Sequence, residues 1–428
     1  MKVAVAVLLL IGRVYGLYAD DLKYGLYTKT IRNEETGQYV AVRTSMVTGT
    51  VSVKSLYRSF TIPYKVRFTI YGGKEYVDAP VTGFTNQSLE RCYNLQSVTF
   101  NSRSVVSTIG DFTFAYCTSL SDIALPKTVE TIGRAAFHSC WGLKSFVLPP
   151  LIQKIEIATF SDCVNLTSFT FNTKVNAIDN YAFYGCTSLL SIDIPYSVRT
   201  IGRHTFEGCK SLKTVVLPIN IAGVDNYAFR NCTSLESITF PGNKVKVSIH
   251  RGVFDSCVSL ETVVLPSTIF YIGDSAFCNC TRLKEIYLTE GTDSVCNHSF
   301  HNCRSLKRLE IPSTMERIGD SAFMGCEQLD SVYVRIREPY VFGTDAFKDI
   351  SARCVLMVPY GMRQDYINAG WTEQVFRGGV REMPEPEGIQ AVRVKKSAGR
   401  YYDLQGREVS KPRHGGIYIR NGRKEKVK

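Results

Sequence analysis

The sequence lacks any run of about 18 apolar residues, the length that a membrane-spanning helix needs. No cysteine precedes Cys92, so the amino-terminal region holds no cysteine for lipid attachment. The GxSxG, HExxH and P-loop patterns are absent too, and the six histidines are scattered. These absences predict a protein with no transmembrane segment, no catalytic site and no cofactor.

A uniform excess of one charge is also missing. The net charge is +12, but residues 384–428 contain 12 Lys or Arg against 5 Asp or Glu, and Lys2 and Arg13 add two more positive charges. About +3 is left on the 364 residues between these ends. Because nucleic-acid binding needs a basic face, a nearly neutral central region argues against a nucleic-acid partner.

Residues 1–19 resemble an export signal. Lys2 precedes a short apolar run from Val3 to Ile11, and Ala19 offers a cleavage position. The alternative is a buried first strand. We expect the signal, and with it a secreted protein or one on the cell surface, at the exterior of the outer membrane.

A repeat dominates what is present. Cysteines recur every 23 residues, with one step of 25, and each has a phenylalanine three residues before it and a leucine three residues after it. The cysteine positions are Cys117, Cys140, Cys163, Cys186, Cys209, Cys232, Cys257, Cys280, Cys303 and Cys326. A fixed period of this length predicts a leucine-rich repeat solenoid of short parallel strands, with about eleven to twelve coils over residues 78–348.

One period illustrates the predicted coil. Apolar residues alternate from Leu189 to Pro195, which predicts a short strand with Leu189, Ile192 and Ile194 inward. Proline ends the strand because it cannot donate to a continuing ladder. Single coils bury too little surface to fold alone, so several must stack.

The flanking regions predict caps. Residues 20–77 are aromatic and β-branched and predict a small β-rich amino-terminal cap, since a solenoid must cover its open end. Residues 349–383 form a carboxy-terminal capping segment, with an amphipathic helix predicted from Gly361 to Val375. Residues 384–391 then form a linker, and residues 392–428 a small basic β tail.

The fourteen cysteines would normally suggest disulfides in an exported protein. Most of them occupy one equivalent position, however, so their Cβ vectors should run parallel and not converge as a disulfide requires. Free cysteine behaves as a small buried apolar residue. We therefore favour a ladder of reduced thiols over disulfide pairing.

The AFxxCxxLxxIxIP period resembles the BspA-like (Treponema-type) bacterial leucine-rich repeat family, over roughly residues 82–347. The tail, with Tyr402-Asp403-Leu404-Gln405-Gly406-Arg407 and Gly416-Ile417-Tyr418-Ile419, resembles the carboxy-terminal sorting domains of exported Bacteroidetes proteins. These resemblances imply a right-handed leucine-rich repeat coil, display at the cell surface, and adhesion or binding to a host protein.

One cluster suggests a metal site. Cys296, His298 and His301 lie close in sequence, and Cys278 is in register with His301 one coil earlier. Cysteine and imidazole on neighbouring coils are zinc ligands. The spacing fits no standard zinc finger, so ordinary variation within the repeat is the favoured explanation.

Binding by the solenoid's concave face is the better hypothesis. In the early and middle coils the outward strand positions carry small residues, with Asp122 and Asp193 as the only charges. Toward the carboxy-terminal end they change to Glu285, Tyr287, Arg308, Glu310, Tyr333 and Arg335. Tyrosine and arginine are enriched at interfaces. The alternative is ordinary cross-strand pairing, for example of Glu285 with Arg308.

Together these features predict a non-enzymatic, exported repeat protein that binds an extracellular or host protein. A glycan is the second candidate partner, because flat tyrosines such as Tyr287 and Tyr333 stack on sugar rings. An enzyme that uses the array as a scaffold is the third and remotest alternative.

Overall fold

A computed structural model describes residues 22–32, 39–50, 58–70, 75–240, 246–384, 401–402, 408–409, 417–420 and 423–426. Most of these residues form a parallel β-solenoid of about 13 turns with almost no helix. This architecture confirms the predicted repeat solenoid. The predicted export signal at residues 1–19 and linker at residues 384–391 lie outside the described residues, apart from Pro384.

Most coils contain two short strands. Equivalent strands of neighbouring coils pair in parallel, so two ladders of strands run along the solenoid. The strands of the first ladder are Ser59–Ile62, Ser97–Phe100, Asp122–Ile123, Ser145–Val147, Ser168–Thr170, Thr214–Val216, Ser237–Thr239, Thr262–Val264, Glu285–Tyr287, Arg308–Ile311, Ser331–Val334, Val355–Val358 and Val380–Glu382. The strands of the second ladder are Thr108–Ile109, Thr131–Ile132, Lys154–Ile155, Ala177–Ile178, Thr200–Ile201, Gly223–Val224, Val247–Ile249, Ile269–Ile272, Ser294–Val295 and Arg317–Ile318. Equivalent residues of neighbouring coils pair almost throughout in register.

The same set of core residues recurs in each coil. The phenylalanines from Phe114 to Phe347 form one column of stacked rings, with neighbouring centroids 5.1–5.8 Å apart and interplanar angles of 1–21°. In the illustrative coil Phe183, Cys186 and Leu189 are all fully buried. Each coil therefore adds the same apolar set to one continuous interior, at roughly 1.5–3 kcal/mol per large side chain.

Two residues per coil adopt left-handed backbone conformations, two positions before the phenylalanine and two after it. Gly208 has a φ of +74° and His204 a φ of +56°. Between these two positions, backbone amides of the turn donate hydrogen bonds to the next coil, for example from the Phe206 amide to the Ala228 carbonyl at 2.7 Å. The backbone on this side is therefore hydrogen-bonded from coil to coil without a regular strand.

The amino-terminal cap is β, as predicted. Leu22–Arg32 pairs antiparallel with Tyr39–Thr50, and Lys65–Ile70 pairs antiparallel with Glu75–Phe84. The last of these strands crosses the predicted boundary at residue 77 and continues into the second ladder, where Phe84 pairs with Ile109. The cap and the array thus share one sheet.

The carboxy-terminal cap contains less helix than predicted. The helix spans only Arg363–Asn368, whereas the sequence suggested Gly361 to Val375. It ends because Gly370 takes a φ of +89°. The Gly370 amide donates to the Ile367 carbonyl at 3.0 Å, and the Trp371 amide donates to the Tyr366 carbonyl at 2.9 Å. This pair of bonds is a Schellman motif, which satisfies the last helical carbonyls.

A second difference concerns the strand predicted from Leu189 to Pro195. Leu189 and Ile192 are buried, as expected, but Ile194 is only partly buried and residues 191–195 form no strand. The first ladder is therefore interrupted between Ser168–Thr170 and Thr214–Val216. In the tail, the described residues form a four-stranded antiparallel sheet, Tyr401–Tyr402, Glu408–Val409, Ile417–Arg420 and Arg423–Lys426.

Candidate binding face on the first ladder

In the first-ladder strands other than Asp122–Ile123 and Val380–Glu382, the first and third side chains point outward and the one between them is buried. In Thr214–Val216, for example, Thr214 and Val216 are exposed while Val215 is buried. Because coils stack in register, these outward positions form two parallel rows of side chains along the solenoid, which we name the ladder face. The ladder face carries the candidate binding residues that were predicted from the sequence.

All six candidate residues come together near the carboxy-terminal end of the ladder face. Glu285 pairs with Arg308 in one row, and Tyr287, Glu310 and Tyr333 follow one another in the other. Arg335 directly follows Ser331–Val334, the strand that carries Tyr333, and its guanidinium lies 3.2 Å from Glu310 Oε2. We name these six residues the Tyr-Arg patch.

Interactions within the Tyr-Arg patch fix its side chains. The Arg308 guanidinium carbon lies 4.1 Å from the centroid of the Tyr333 ring, a cation–π contact, and its Nη2 donates to Glu310 Oε1 at 2.7 Å. The Tyr287 hydroxyl donates to Glu285 Oε2 at 2.8 Å. Glu310 thus accepts from two arginines at once, and the patch is preorganised.

The electrostatics follow from these contacts. The hydrogen bond to Glu285 raises the pKa of Tyr287, because ionising the phenol would place two negative charges together. The hydrogen bond to Glu310 likewise raises the pKa of Arg308. Tyr287 keeps 55% of its surface exposed and Arg308 54% of its side chain, so the patch is fixed in position yet open to a partner.

The ten repeat cysteines stand in one column inside the solenoid. Each Sγ–H donates to a backbone carbonyl of the preceding coil at 3.2–3.4 Å, as Cys186 does to Phe160. Burial raises the pKa of these thiols, to about 12 for Cys163. All fourteen cysteines are free in the structure.

The residues considered for zinc do not converge. Cys296 is buried and Cys278 half-buried, and the His298 and His301 rings meet edge to face with centroids 5.6 Å apart. Burial lowers the pKa of His301. Across the described part of the chain, no three His, Cys, Asp or Glu side chains are grouped so that they could hold a metal ion.

Sequence reasoning missed a second feature of the ladder face. Beside the interruption at residues 191–195 lies a cavity of about 260 Å³, lined by Asp193, Tyr196 and Val216 among others. Between Val147 and Val264 the other coils carry threonine or valine at the position of Asp193, and this difference was the available signal, because aspartate is depleted in strands. The other aspartate of the face, Asp122, also lies in a shortened strand, Asp122–Ile123.

The family model of the BspA-type leucine-rich repeat region matches residues 77–167, 153–248 and 247–357, more than half of the chain. The chain belongs to the BspA-type leucine-rich repeat family. This assignment agrees with the resemblance noted in the sequence.

Solved leucine-rich repeat proteins are similar to this chain. One from Bacteroides ovatus is 21% identical, with 82% of this chain and 97% of that chain covered and a TM-score of 0.55. Two others are a cell surface protein from Faecalibacterium prausnitzii (23% identity, 76% and 95% covered, TM-score 0.44) and a protein from T. pallidum (22%, 65% and 100%, TM-score 0.31). Curated protein sequences yield no match. None of the described helices has the length and apolarity to cross a bilayer.

Proposed function

We propose that this leucine-rich repeat protein is exported and binds a protein of a host or neighbouring cell through the Tyr-Arg patch. The observation that carries the proposal is the preorganisation of Arg308, held between Glu310 and the Tyr333 ring. An arginine whose geometry is already fixed loses less side-chain entropy on binding. Exposed tyrosine and arginine side chains are typical interface anchors.

Two features support a location outside the cell. Residues 1–19 have the order of an export signal, with a basic residue, an apolar run and a small residue at the end. The BspA-type family is one of bacterial surface proteins. We infer that the protein is secreted or displayed on the outside of the cell.

A glycan is the second candidate partner, since Tyr287 exposes its ring. The arrangement at Tyr333 favours a protein, because Arg308 already covers one face of that ring and leaves only one tyrosine of the pair fully open for stacking on a sugar. A role as scaffold for an enzyme has no group of residues in the described chain that would support it.

The test is binding of the purified full chain to intact host cells, measured by flow cytometry. The double variant Arg308→Glu, Arg335→Glu should lower the apparent affinity by about tenfold or more, because a hot-spot arginine contributes about 2 kcal/mol. The matched control is Arg203→Glu, Arg282→Glu. These arginines are 60% and 61% exposed and each pairs with an acidic residue, as in the patch, but they lie elsewhere on the coil.

Pretreatment of the cells separates the two partners. Protease should abolish binding of the wild-type chain, and periodate, which destroys sugar rings, should leave it intact. Equal affinity of the patch and control variants would exclude the Tyr-Arg patch as the site. Loss after periodate alone would favour the glycan.

A further inference from the structure

We propose that the interruption of the first ladder around Asp193 is a second binding site, which takes an extended polypeptide segment carrying a lysine or arginine. We name it the Asp193 site. It rests on the proposed function in so far as its ligand is a protein. It lies on the same ladder face as the Tyr-Arg patch but several coils toward the amino terminus.

The first observation is unpaired main chain. The N–H and C=O groups of residues 191–194 make no main-chain hydrogen bond within the described chain. The strands on either side, Ser168–Thr170 and Thr214–Val216, each pair with one neighbour only, on the side away from the interruption. Backbone polar groups that the fold leaves unpaired need another partner, and an extended peptide supplies donors and acceptors in alternation.

The second observation is the cavity itself. About 260 Å³ of space opens between the two coils, lined by residues 191–194 and by Tyr196, Thr214 and Val216. Tyr196 is 68% exposed and Val216 is 62% exposed. Exposed apolar groups beside unpaired main chain fit the side chains and backbone of an extended segment.

The third observation is charge. Asp193 is the only charged residue among the outward positions of the ladder face between Ser145 and Val264. It is exposed, and no ion pair or hydrogen bond joins it to another described residue. In the Tyr-Arg patch, by contrast, Glu285 and Glu310 already have partners. Because this carboxylate has no cation partner and the surrounding surface is neutral, we expect it to pair with a basic side chain of the ligand.

These three observations select a polypeptide over a sugar. A sugar would satisfy the carboxylate with hydroxyl groups, but it does not present alternating amide and carbonyl groups at strand spacing. A basic side chain flanked by small β-branched residues on an extended backbone satisfies the main chain, the cavity and Asp193 together.

The probe is a synthetic, fluorescently labelled nine-residue peptide of alternating valine and threonine with a central lysine. Matched peptides carry norleucine or glutamate at the centre, and a fourth carries N-methyl groups on alternate amides. Binding to the full chain is measured by fluorescence anisotropy at low and at high salt. The protein variants are Asp193→Asn and Asp193→Lys, with Glu236→Gln as the control, because Glu236 is an exposed carboxylate beside Ser237–Thr239, a strand that is paired on both sides.

We expect the lysine peptide to bind about fivefold more tightly than the norleucine peptide, with the difference lost in Asp193→Asn and at high salt. The glutamate peptide and the N-methylated peptide should bind weakly, and Asp193→Lys should reverse the preference between lysine and glutamate. Glu236→Gln should match the wild type. Because Asp193 is exposed and unpaired, these substitutions should leave folding unchanged, which circular dichroism checks.

Several outcomes would overturn the proposal: no binding of the lysine peptide at millimolar concentration, equal binding of the lysine and norleucine peptides, or equal binding by the wild type and Asp193→Asn. So would a glycan ligand whose binding is lost in Asp193→Asn. The Arg308→Glu, Arg335→Glu variant separates the two sites. It should bind the peptide normally even though cell binding through the Tyr-Arg patch is lost.

Discussion

At the scale of single residues, the phenylalanine column links one coil to the next. Phe183 lies between Phe160 and Phe206, with centroids 5.6 Å and 5.4 Å away and rings within 12° of parallel. It is fully buried. Removing the ring therefore opens a void against two neighbouring coils at once, and close-packed interiors relax only partly around such voids.

We expect Phe183→Ala to lower the free energy of unfolding by roughly 3–5 kcal/mol. Urea denaturation followed by far-ultraviolet circular dichroism measures the change. Leu190→Ala is the control, because Leu190 belongs to the same coil but is 54% exposed. If the two variants lose similar stability, the column does not hold the coils together.

The thiols provide a second test at this scale. Thirteen cysteines are buried, and Cys278 is the one that is partly accessible. Desolvation by burial raises the pKa of Cys278 to about 11. Since the thiolate is the reactive form, its fraction should increase about tenfold per pH unit up to pH 10, where an ordinary cysteine with a pKa of about 8.5 would already level off.

We therefore expect iodoacetamide to modify Cys278 first in the native protein, at a rate that still rises between pH 9 and pH 10. Mass spectrometry of digested samples gives the rate at each site. After unfolding without a reductant, all fourteen thiols should react. Cysteines that stay blocked in the unfolded chain would contradict the predicted reduced ladder.

At the scale of the coil, the sequence predicted the repeat but not the regularity of each strand. The period and the inward positions follow directly from Phe, Cys and Leu at fixed spacing. The interruption at Asp193 depends on how one strand fits between its two neighbours, which a single coil's pattern of apolar residues does not reveal. Ile192 is buried as the pattern requires, yet its strand does not form.

The same limit applies to the binding residues. The sequence placed Glu285 beside Arg308 on one face because the period fixes which residues are neighbours. It could not show that Arg308 turns toward Tyr333 and Glu310, since that depends on side-chain conformation. The helix of the cap was too long in the prediction because Ile367 and Trp371 suit a helix, while Gly370 between them ends it.

The carboxy-terminal cap is the element that covers the last coil. Trp371 is fully buried, contacts Phe342 and Phe376, and donates from Nε1 to the Tyr340 carbonyl at 2.7 Å. Without it the apolar end of the solenoid would face water. A repeat array with an uncovered end tends to self-associate.

We expect Trp371→Ala to cost about 3–5 kcal/mol and to increase self-association. Thermal unfolding and light scattering measure the two effects. Tyr360→Ala is the matched control, because Tyr360 is in the same segment but is 55% exposed. A Trp371→Ala protein that stays monomeric and as stable as the control would show that other residues cover the end.

At the scale of the whole molecule, the coils are not joined equally. No strand pairing links Asp122–Ile123 to Ser145–Val147, or Thr131–Ile132 to Lys154–Ile155. Both ladders are thus interrupted at one junction. The two coils are joined instead through the turns around the phenylalanines. There the Ala135 amide donates to the Ile157 carbonyl at 2.9 Å, and the rings of Phe137 and Phe160 stack.

Because each coil contacts only its neighbours, the stability of a solenoid depends on each junction separately. We expect the junction before Ser145 to open more readily than the fully paired one between Thr214–Val216 and Ser237–Thr239. Hydrogen exchange measured by mass spectrometry should show faster exchange at Ser145, Val147 and Lys154 than at Ser237 and Thr239. Equal protection at the two junctions would mean that the turns around the phenylalanines and the stacked rings alone hold neighbouring coils together.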